Sequence, residues 1–272
     1  MTTSVKINTI ILSILLGGTL FLLPSERAYS MQNSVPWSPL KRIPGYLDDT
    51  FPPIMVADQN KTVHAFVSQW VGEETPLKAI VYRQWSANIG WAAPVDILLP
   101  PNGETEVYSA FLDKSGTMHL LFRAGEATGS SVYYSSAFVE DMDRATGWSE
   151  PEIIGENAMF PGSGSIVGDE YGNLTVIYNG TRDGNGVYAV HSHDSGQSWS
   201  DVKPIFLTYD PQLTPFSLQS IYGSDNRGHA VWNVLTNTGV DSSLYYANFN
   251  FENSDWNTPV ILDERIEKED FF

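Results

Sequence analysis

The chain has 272 residues, a formal net charge of −17, 42% hydrophobic residues and no cysteine. The hydrophobic content excludes wholesale disorder, and the lack of cysteine excludes a disulfide framework and a thiolate metal site. The acidic balance disfavours nucleic-acid partners, because nucleic-acid binding depends on Lys and Arg side chains that neutralise phosphates.

The first thirty residues predict a targeting segment. Residues 7–23 form an apolar run, and residues 28–30 (Ala-Tyr-Ser) have the small-x-small form of a signal-peptidase site. Residues 1–30 are therefore interpreted as a signal peptide. The alternative is an uncleaved anchor through residues 7–23, because this run is close to the lower limit for spanning a bilayer. Both interpretations predict a secreted or cell-surface protein, and an exported chain without cysteine favours a bacterial one.

After a short linker at residues 31–36, an internal repeat organises residues 37–272. Tryptophans with similar following residues recur at spacings of 54, 57, 51 and 57 residues: Trp37, Trp91, Trp148, Trp199 and Trp256. A second register follows an Asp-rich turn at spacings of 55, 56 and 54 residues: His64, His119, Thr175 and His229. A third register holds aromatic residues: Tyr82, Tyr134, Tyr188 and Tyr246. Three registers with one period indicate a repeated structural unit.

The hydrophobic pattern predicts four short strands in each unit. In the first unit they cover residues 53–57, 62–68, 78–84 and 91–98, and no window of helical length carries a 3.6-residue apolar stripe. A repeated four-stranded unit favours a blade of a β-propeller, in which radial packing buries both faces of each sheet. A solenoid is the alternative, and the long unit marked by tryptophan argues against it. We therefore predict an all-β fold, a β-propeller of four-stranded antiparallel blades.

One turn carries a resemblance to a known family. Residues 192–199 read Ser-His-Asp-Ser-Gly-Gln-Ser-Trp, which matches the Asp-box (Ser-x-Asp-x-Gly-x-Ser/Thr-Trp) of the sialidase-like, Asp-box or BNR-repeat, β-propeller superfamily. The box residues are interpreted as structural, because Asp and Ser can satisfy backbone N–H groups, Gly permits a positive φ and Trp packs between sheets. These residues are Ser192, Asp194, Gly196, Ser198 and Trp199. The superfamily includes catalytic and non-catalytic propellers.

The resemblance also implies a strand order and a blade count. In this family the box joins the third strand to the outermost fourth strand, so the chain supplies one fourth strand at residues 37–43, four complete blades and a tail. Since sialidase-like propellers have about six blades, we expect the domain at 37–272 to be incomplete at its C-terminus or to be completed by partner chains. A closed four-bladed ring with spare end strands is the alternative.

On the same topology, the loops between fourth and first strands and between second and third strands line the functional mouth of the channel. These loops include residues 69–78, 100–107 and 123–130. These loops interleave carboxylates with aromatic residues, a combination that suits neutral sugars. The predicted substrate-binding residues are Tyr46, Trp70, Glu106 and Tyr209. The alternative is a set of solvated acidic loops without a binding role.

A sialidase would need more than this. The resemblance implies three arginines that hold the substrate carboxylate, a Tyr nucleophile with its Glu, and an Asp acid/base. On that pattern the candidate catalytic residues are Arg42, Asp49, Arg123 and Arg182. Arg42 begins an Arg-Ile-Pro sequence like that of the family, but it lies at a fourth-strand position. The carboxylates of the predicted mouth loops would also repel an anionic sugar.

No metal site or cofactor is predicted. His64, His119 and His229 occupy one repeat position in different blades, so they cannot converge on one ion and are interpreted as structural. His191 and His193 belong to the strand and turn that the box already explains. If the acidic loops at 48–49 or 183–185 hold an ion, Ca²⁺ is the cation that their oxygen ligands favour.

Taken together, these features predict an exported propeller that binds or processes extracellular glycans. The first alternative is an active exo-α-sialidase, a glycoside hydrolase. The second is a non-catalytic protein-interaction scaffold at the cell surface. The oligomeric state stays open, as does the choice between a released protein and one tethered to a membrane through residues 7–23.

Overall fold

The computed structural model describes residues 43, 52–72, 77–99, 104–126, 129–159, 162–236 and 242–265, which belong to one compact unit beginning at Ile43. The predicted signal or anchor at 1–30 and the linker at 31–36 lie outside the described residues, as does the strand predicted at 37–43 apart from Ile43. The described residues include no helix long and apolar enough to cross a membrane.

The described strands form four antiparallel units, numbered here as sheets 1 to 4 in chain order, of which the second and third join into one eight-stranded sheet. Sheet 1 contains β1 (Ile54–Ala57), β2 (Val63–Val71), β3 (Leu77–Ser86), β4 (Gly90–Trp91) and β5 (Val95–Leu98). Sheet 2 contains β6 (Glu104–Leu112), β7 (Thr117–Gly125), β8 (Ser130–Phe138) and β9 (Glu152–Ala158). Sheet 3 contains β10 (Gly164–Gly168), β11 (Leu174–Gly180), β12 (Gly186–Ser192) and β13 (Lys203–Leu207). Sheet 4 contains β14 (Leu213–Tyr222), β15 (Arg227–Thr236), β16 (Ser242–Asn250) and β17 (Val260–Arg265).

Each sheet is a meander whose strands pair in sequence order. In sheet 1, β4 and β5 share the fourth position, since both pair with β3. Sheets 2 and 3 are also joined by a single pair, Ala158 with Gly180. Apart from the short 3-10 turns Val139–Asp141 and Ala145–Gly147, the elements in the described ranges are strands. The predicted all-β fold of four-stranded antiparallel units is confirmed.

The first strands of the four sheets surround one central cleft, as in a propeller. This cleft, of 410 Å³, is lined by Ile54 of β1, by residues 108–111 of β6, by residues 165–167 of β10 and by residues 219–222 of β14. Polar side chains tie the inner strands together. The Ser220 backbone N–H donates to Ser165 Oγ at 3.0 Å, which links sheet 4 to sheet 3.

The burial of residues along the second strand of a sheet shows how many of its faces are covered by neighbouring sheets. Every residue of β11 is buried, and in β7 every residue after Thr117 is buried, because both faces of sheets 2 and 3 are covered. In β15 buried residues alternate with partly exposed ones. Its buried face, which includes Ala230 and Trp232, packs on Ile177 of sheet 3.

The repeated tryptophans of sheets 2, 3 and 4 pack against the preceding sheet. The ring of Trp148 meets Phe66 of sheet 1 edge-on at 5.8 Å, and that of Trp199 meets Tyr134 of sheet 2 at 4.9 Å. The indole N–H of Trp256 donates to His191 Nε2 of sheet 3 at 3.2 Å. This repeated position therefore supplies contacts between sheets.

The histidine and tyrosine registers of the repeat are joined by hydrogen bonds within sheets 1, 2 and 4. In sheet 2, His119 Nδ1 lies 2.8 Å from the Tyr134 hydroxyl, and its Nε2 lies 3.3 Å from Asp113. The histidines of sheets 1 and 4 lie at the same 2.8 Å from their tyrosine hydroxyls: His64 with Tyr82 and His229 with Tyr246. The other ring nitrogen, Nε2, lies 3.5 Å from Asp58 Oδ2 in sheet 1 and 3.0 Å from Asp225 Oδ1 in sheet 4. Each histidine thus lies between an aspartate of the turn after the first strand and a tyrosine of the third strand.

The turn after β12 is held by its own side chains. The Ser198 backbone N–H donates to Asp194 Oδ1 at 2.8 Å, and the Gly196 N–H donates to Ser192 Oγ at 2.9 Å. Hydrogen bonds from the Ser198 side chain and backbone lower the pKa of Asp194 to about 2. Gly196 has a φ of 85°, a conformation that L side chains rarely adopt.

Candidate functional site

The candidate site lies at the end of the channel where β6 begins and β7 ends, here called the mouth. The loops predicted at 100–107 and 123–130 are shorter in the structure, because β6 and β7 continue pairing as far as Glu104 with Gly125. This extension places the side chains of Glu106 and Arg123 on paired strands, which fixes them more firmly than loops would.

Arg123 and Glu106 form a cross-strand ion pair. The two residues are partners in the β6–β7 register, and Arg123 Nε lies 3.5 Å from Glu106 Oε2. The Arg123 side chain is only 1% exposed, and its Nη1 also donates to the Gly125 carbonyl at 3.3 Å. Burial raises the pKa of Glu106, and the charges of Arg123 and Lys78 and a backbone hydrogen bond from Gly162 oppose that rise.

Tyr108 stands two residues further along β6 and lines the central cleft. It occupies a bulge, because the β6–β7 register shifts between Val107 and Ser109, and bulges often re-aim a side chain. The side chain lies against Gly162, where any Cβ would overlap the Tyr108 hydroxyl. Tyr108 is 8% exposed, and its hydroxyl has no hydrogen-bond partner among the described residues. Burial raises the pKa of this hydroxyl further above its usual range, so it stays protonated.

Sheet 1 supplies the adjoining wall of the mouth. Trp70 and Lys78 are partners in the β2–β3 register, and Lys78 Nζ lies 5.7 Å from the centre of the indole ring. The same ammonium group lies 3.4 Å from Glu104 Oε2 at the start of β6. Trp70 is 38% exposed and offers an aromatic surface beside the ion pairs.

The chemistry of this mouth combines a hydroxyl donor, paired charges and an aromatic surface. Two cations, Lys78 and Arg123, lie opposite two carboxylates, Glu104 and Glu106, so these four described side chains together carry no net charge. A carboxyl group whose pKa is raised by burial, such as that of Glu106, is a candidate general acid or base. A buried hydroxyl without a partner costs free energy unless a ligand supplies one.

The structure brings together some of the predicted site residues and separates others. Arg123, Glu106 and Trp70 lie at the mouth on sheets 1 and 2. Arg182 is exposed and lines a different cleft with residues 153–156 of β9 and residues 200–202. None of the described contacts joins Arg182 to Arg123. Tyr209 is 91% exposed, on the loop before β14.

The other predicted site residues, Arg42, Tyr46 and Asp49, lie outside the described residues. The acidic loop at 48–49 does so as well, while Asp183 is exposed. Within the described ranges, no three His, Cys, Asp or Glu side chains come close enough together to hold a metal ion.

Two residues of the mouth, Tyr108 and Lys78, are not among the predicted site residues. Tyr108 follows the predicted loop at 100–107, and Lys78 lies where the predicted loop at 69–78 meets the strand at 78–84. The repeat carries no signal for these two residues, but it does mark the second-strand position that holds Arg123. The position four residues after each register histidine or threonine is polar in all four units, within otherwise apolar strands: Ser68, Arg123, Asn179 and Asn233.

Comparison with known proteins supports the fold. The chain is similar to the α-L-arabinanase of Penicillium chrysogenum solved with arabinobiose, with a TM-score of 0.56, 14% identity and coverage of 78% of this chain and 67% of that one. It is similar to a protein of unknown function from Dyadobacter fermentans, with a TM-score of 0.54, 11% identity and coverage of 79% and 65%. A polysaccharide lyase of the PL25 ulvan lyase family gives a TM-score of 0.52, 16% identity and coverage of 78% and 57%.

These identities show a shared propeller fold, and the chain spans about two thirds or less of the length of these proteins. No protein-family model matches the chain, and no curated protein matches it. The sialidase-like assignment therefore remains a prediction that rests on the Asp-box turn.

Proposed function

We propose that this β-propeller binds or processes a neutral extracellular glycan at the mouth formed by Trp70, Glu106, Tyr108 and Arg123. The observation that carries the proposal is the buried Tyr108 hydroxyl, which has no hydrogen-bond partner among the described residues and lies where the mouth meets the channel. A sugar hydroxyl can accept from this group, and Trp70 offers a surface for the C–H face of a sugar ring.

The two ion pairs described at the mouth favour a neutral ligand over an anionic one. Each cation already has a carboxylate partner, so a carboxylated sugar would have to displace Glu104 or Glu106 from its ion pair. The similar solved proteins include an arabinanase with bound arabinobiose, which agrees with a glycan ligand. Export to the cell surface or the medium, from a bacterial cell, is part of the proposal and rests on residues 1–30 alone.

Replacing Tyr108 with Phe tests this function. The variant removes one hydroxyl that has no described partner, so folding stability should stay the same or rise slightly, while affinity for the glycan falls by about tenfold. The measurements are binding to an array of neutral and sialylated glycans and unfolding by urea. Tyr245→Phe is the matched control, because its ring packs on Trp232 far from the mouth. Unchanged glycan affinity in Tyr108→Phe would contradict the proposal.

Exo-α-sialidase activity is the second candidate, and one observation favours it. A Tyr hydroxyl, a Glu carboxyl with a raised pKa and an Arg lie together at the mouth, which are three of the groups a sialidase uses. Turnover of a fluorogenic α-sialoside that is lost in Tyr108→Phe would support this candidate. Binding of neutral glycans without turnover supports the binding function, and inactivity in both assays leaves the surface scaffold.

A further inference from the structure

A second cleft opens at the opposite end of the inner strands from the mouth, here called the base cleft. It has a volume of 630 Å³ and is formed by the turns β10–β11, β14–β15 and β16–β17 of sheets 3 and 4. Aromatic and charged side chains share its lining: Tyr171, Tyr222, Phe251, Asp225, Arg227 and Glu252. None of these residues belongs to the mouth.

Two tyrosines give the base cleft an aromatic surface. The Tyr171 side chain is 78% exposed and lines the cleft. Tyr222 is held in place, because Phe251 meets its ring edge-on at 5.6 Å and its hydroxyl donates to Asn226 Oδ1 at 3.0 Å. An exposed ring beside a fixed one is suited to stacking on the C–H face of a sugar.

The polar groups of the cleft include both donors and acceptors. The Arg227 guanidinium donates to Asn248 Oδ1 at 2.8 Å and keeps further N–H groups toward solvent. Asp225 accepts from the Arg227 backbone N–H at 3.2 Å and lies 3.0 Å from His229 Nε2, which fixes its carboxylate. A sugar hydroxyl both donates and accepts, so it matches this mixture of one guanidinium with carboxylates, which include Asp169.

Hydrogen bonds hold the two sides of the base cleft together before any ligand arrives. His193 on sheet 3 lies 2.9 Å from Asn173 Oδ1 through Nδ1, and 3.2 Å from Ser254 Oγ of sheet 4 through Nε2. The Asn173 turn and the turn containing Ser254 are thus linked through one side chain. Because the cleft is ordered before binding, less binding free energy is lost to conformational ordering.

We propose that the base cleft is a second glycan-binding site, which holds a neutral saccharide unit by stacking on Tyr171 and by hydrogen bonds to Asp225, Arg227 and Glu252. The site acts independently of the mouth. Because the mouth and the base cleft lie at opposite ends of the sheets, a polymeric glycan or two neighbouring chains can be engaged at both places, which raises avidity without new contacts.

The test compares Tyr171→Ala with Phe138→Ala, which also removes an exposed aromatic side chain but does not line the cleft. Each change is made in the full chain in two backgrounds, one that keeps Tyr108 and one that carries Tyr108→Phe. The probes are soluble arabino-, xylo-, manno- and gluco-oligosaccharides and, for the alternative ligand class, oligolysine, measured by titration calorimetry. Urea unfolding checks that each variant is folded.

We expect Tyr171→Ala to weaken the binding of at least one neutral oligosaccharide by about tenfold in both Tyr108 backgrounds, with Phe138→Ala unchanged. An oligosaccharide affinity that falls in Tyr171→Ala but is unchanged by Tyr108→Phe would contradict the proposed function and leave this inference standing. Equal affinity in Tyr171→Ala and the unsubstituted chain, no binding of any neutral probe, or a Tyr171-dependent affinity for oligolysine alone would overturn the inference.

Discussion

At the scale of the residue, His191 shows how one buried polar side chain links two sheets. Its Nε2 accepts from the Trp256 indole N–H at 3.2 Å, so Nε2 carries no proton and Nδ1 carries it toward Thr175 Oγ1 at 3.0 Å. Burial, with smaller contributions from His193 and Lys203, lowers the pKa of His191 to about 4. Protonation would place a second N–H against the Trp256 donor.

This geometry predicts acid sensitivity. The unfolded chain binds a proton at His191 below pH 6.5, whereas the folded protein excludes it down to about pH 4. The free energy of unfolding therefore keeps the full contribution of the neutral His191 ring above pH 6.5. As the pH falls from 6.5 to about 4, this contribution is lost, by about 3 kcal/mol in total. Urea unfolding at pH 7 and pH 4.5 should show a smaller loss in His191→Gln than in the unsubstituted chain. An equal pH dependence in His191→Gln and in the unsubstituted chain would refute the assignment.

At the scale of the element, the turn after β12 depends on a glycine for two reasons. Gly196 has a φ of 85°, and a Cβ there would overlap the Tyr134 hydroxyl that bonds to His119. Gly196→Ala should therefore cost about 1–2 kcal/mol for the backbone conformation and about 1 kcal/mol more for the disturbed hydrogen bond. Gly90→Ala is the matched control, since Gly90 has a φ of 79° with no atom within 4 Å of the added Cβ. Equal losses in thermal stability would show that the Tyr134 contact is unimportant.

Elements that repeat could be predicted from the sequence, and those that do not repeat could not. The periodic positions proved to be structural: tryptophans between sheets, and histidines bonded to tyrosines within them. The mouth depends on features that occur once. Tyr108 is directed by a bulge, and Lys78 acquires its role from Trp70 and Glu104, which lie on other strands. Strand register and bulges depend on the tertiary packing of neighbouring sheets, so hydrophobic periodicity alone does not reveal them.

At the scale of the whole molecule, each sheet gains stability from its neighbours. The interface between sheets 1 and 2 is one hydrophobic cluster that contains Phe66, Phe122 and Trp148. Trp148 is 7% exposed, and its indole N–H donates to the Met142 carbonyl at 3.2 Å. In a structure whose repeats contact only adjacent repeats, a defect at one interface destabilises the bordering sheets first.

Trp148→Ala should therefore lower the free energy of unfolding by about 3–5 kcal/mol, and it should do so unevenly. Hydrogen exchange should speed up in β2 and β3, which face the vacated volume, while β11 and β12 keep their protection because the cluster between sheets 2 and 3 is intact. Trp91→Ala is the control, since Trp91 is only half-buried and should cost less. Uniform acceleration across all four sheets would mean that the propeller opens as a single cooperative unit, with the inter-sheet tryptophans stabilising the whole ring rather than their own interfaces.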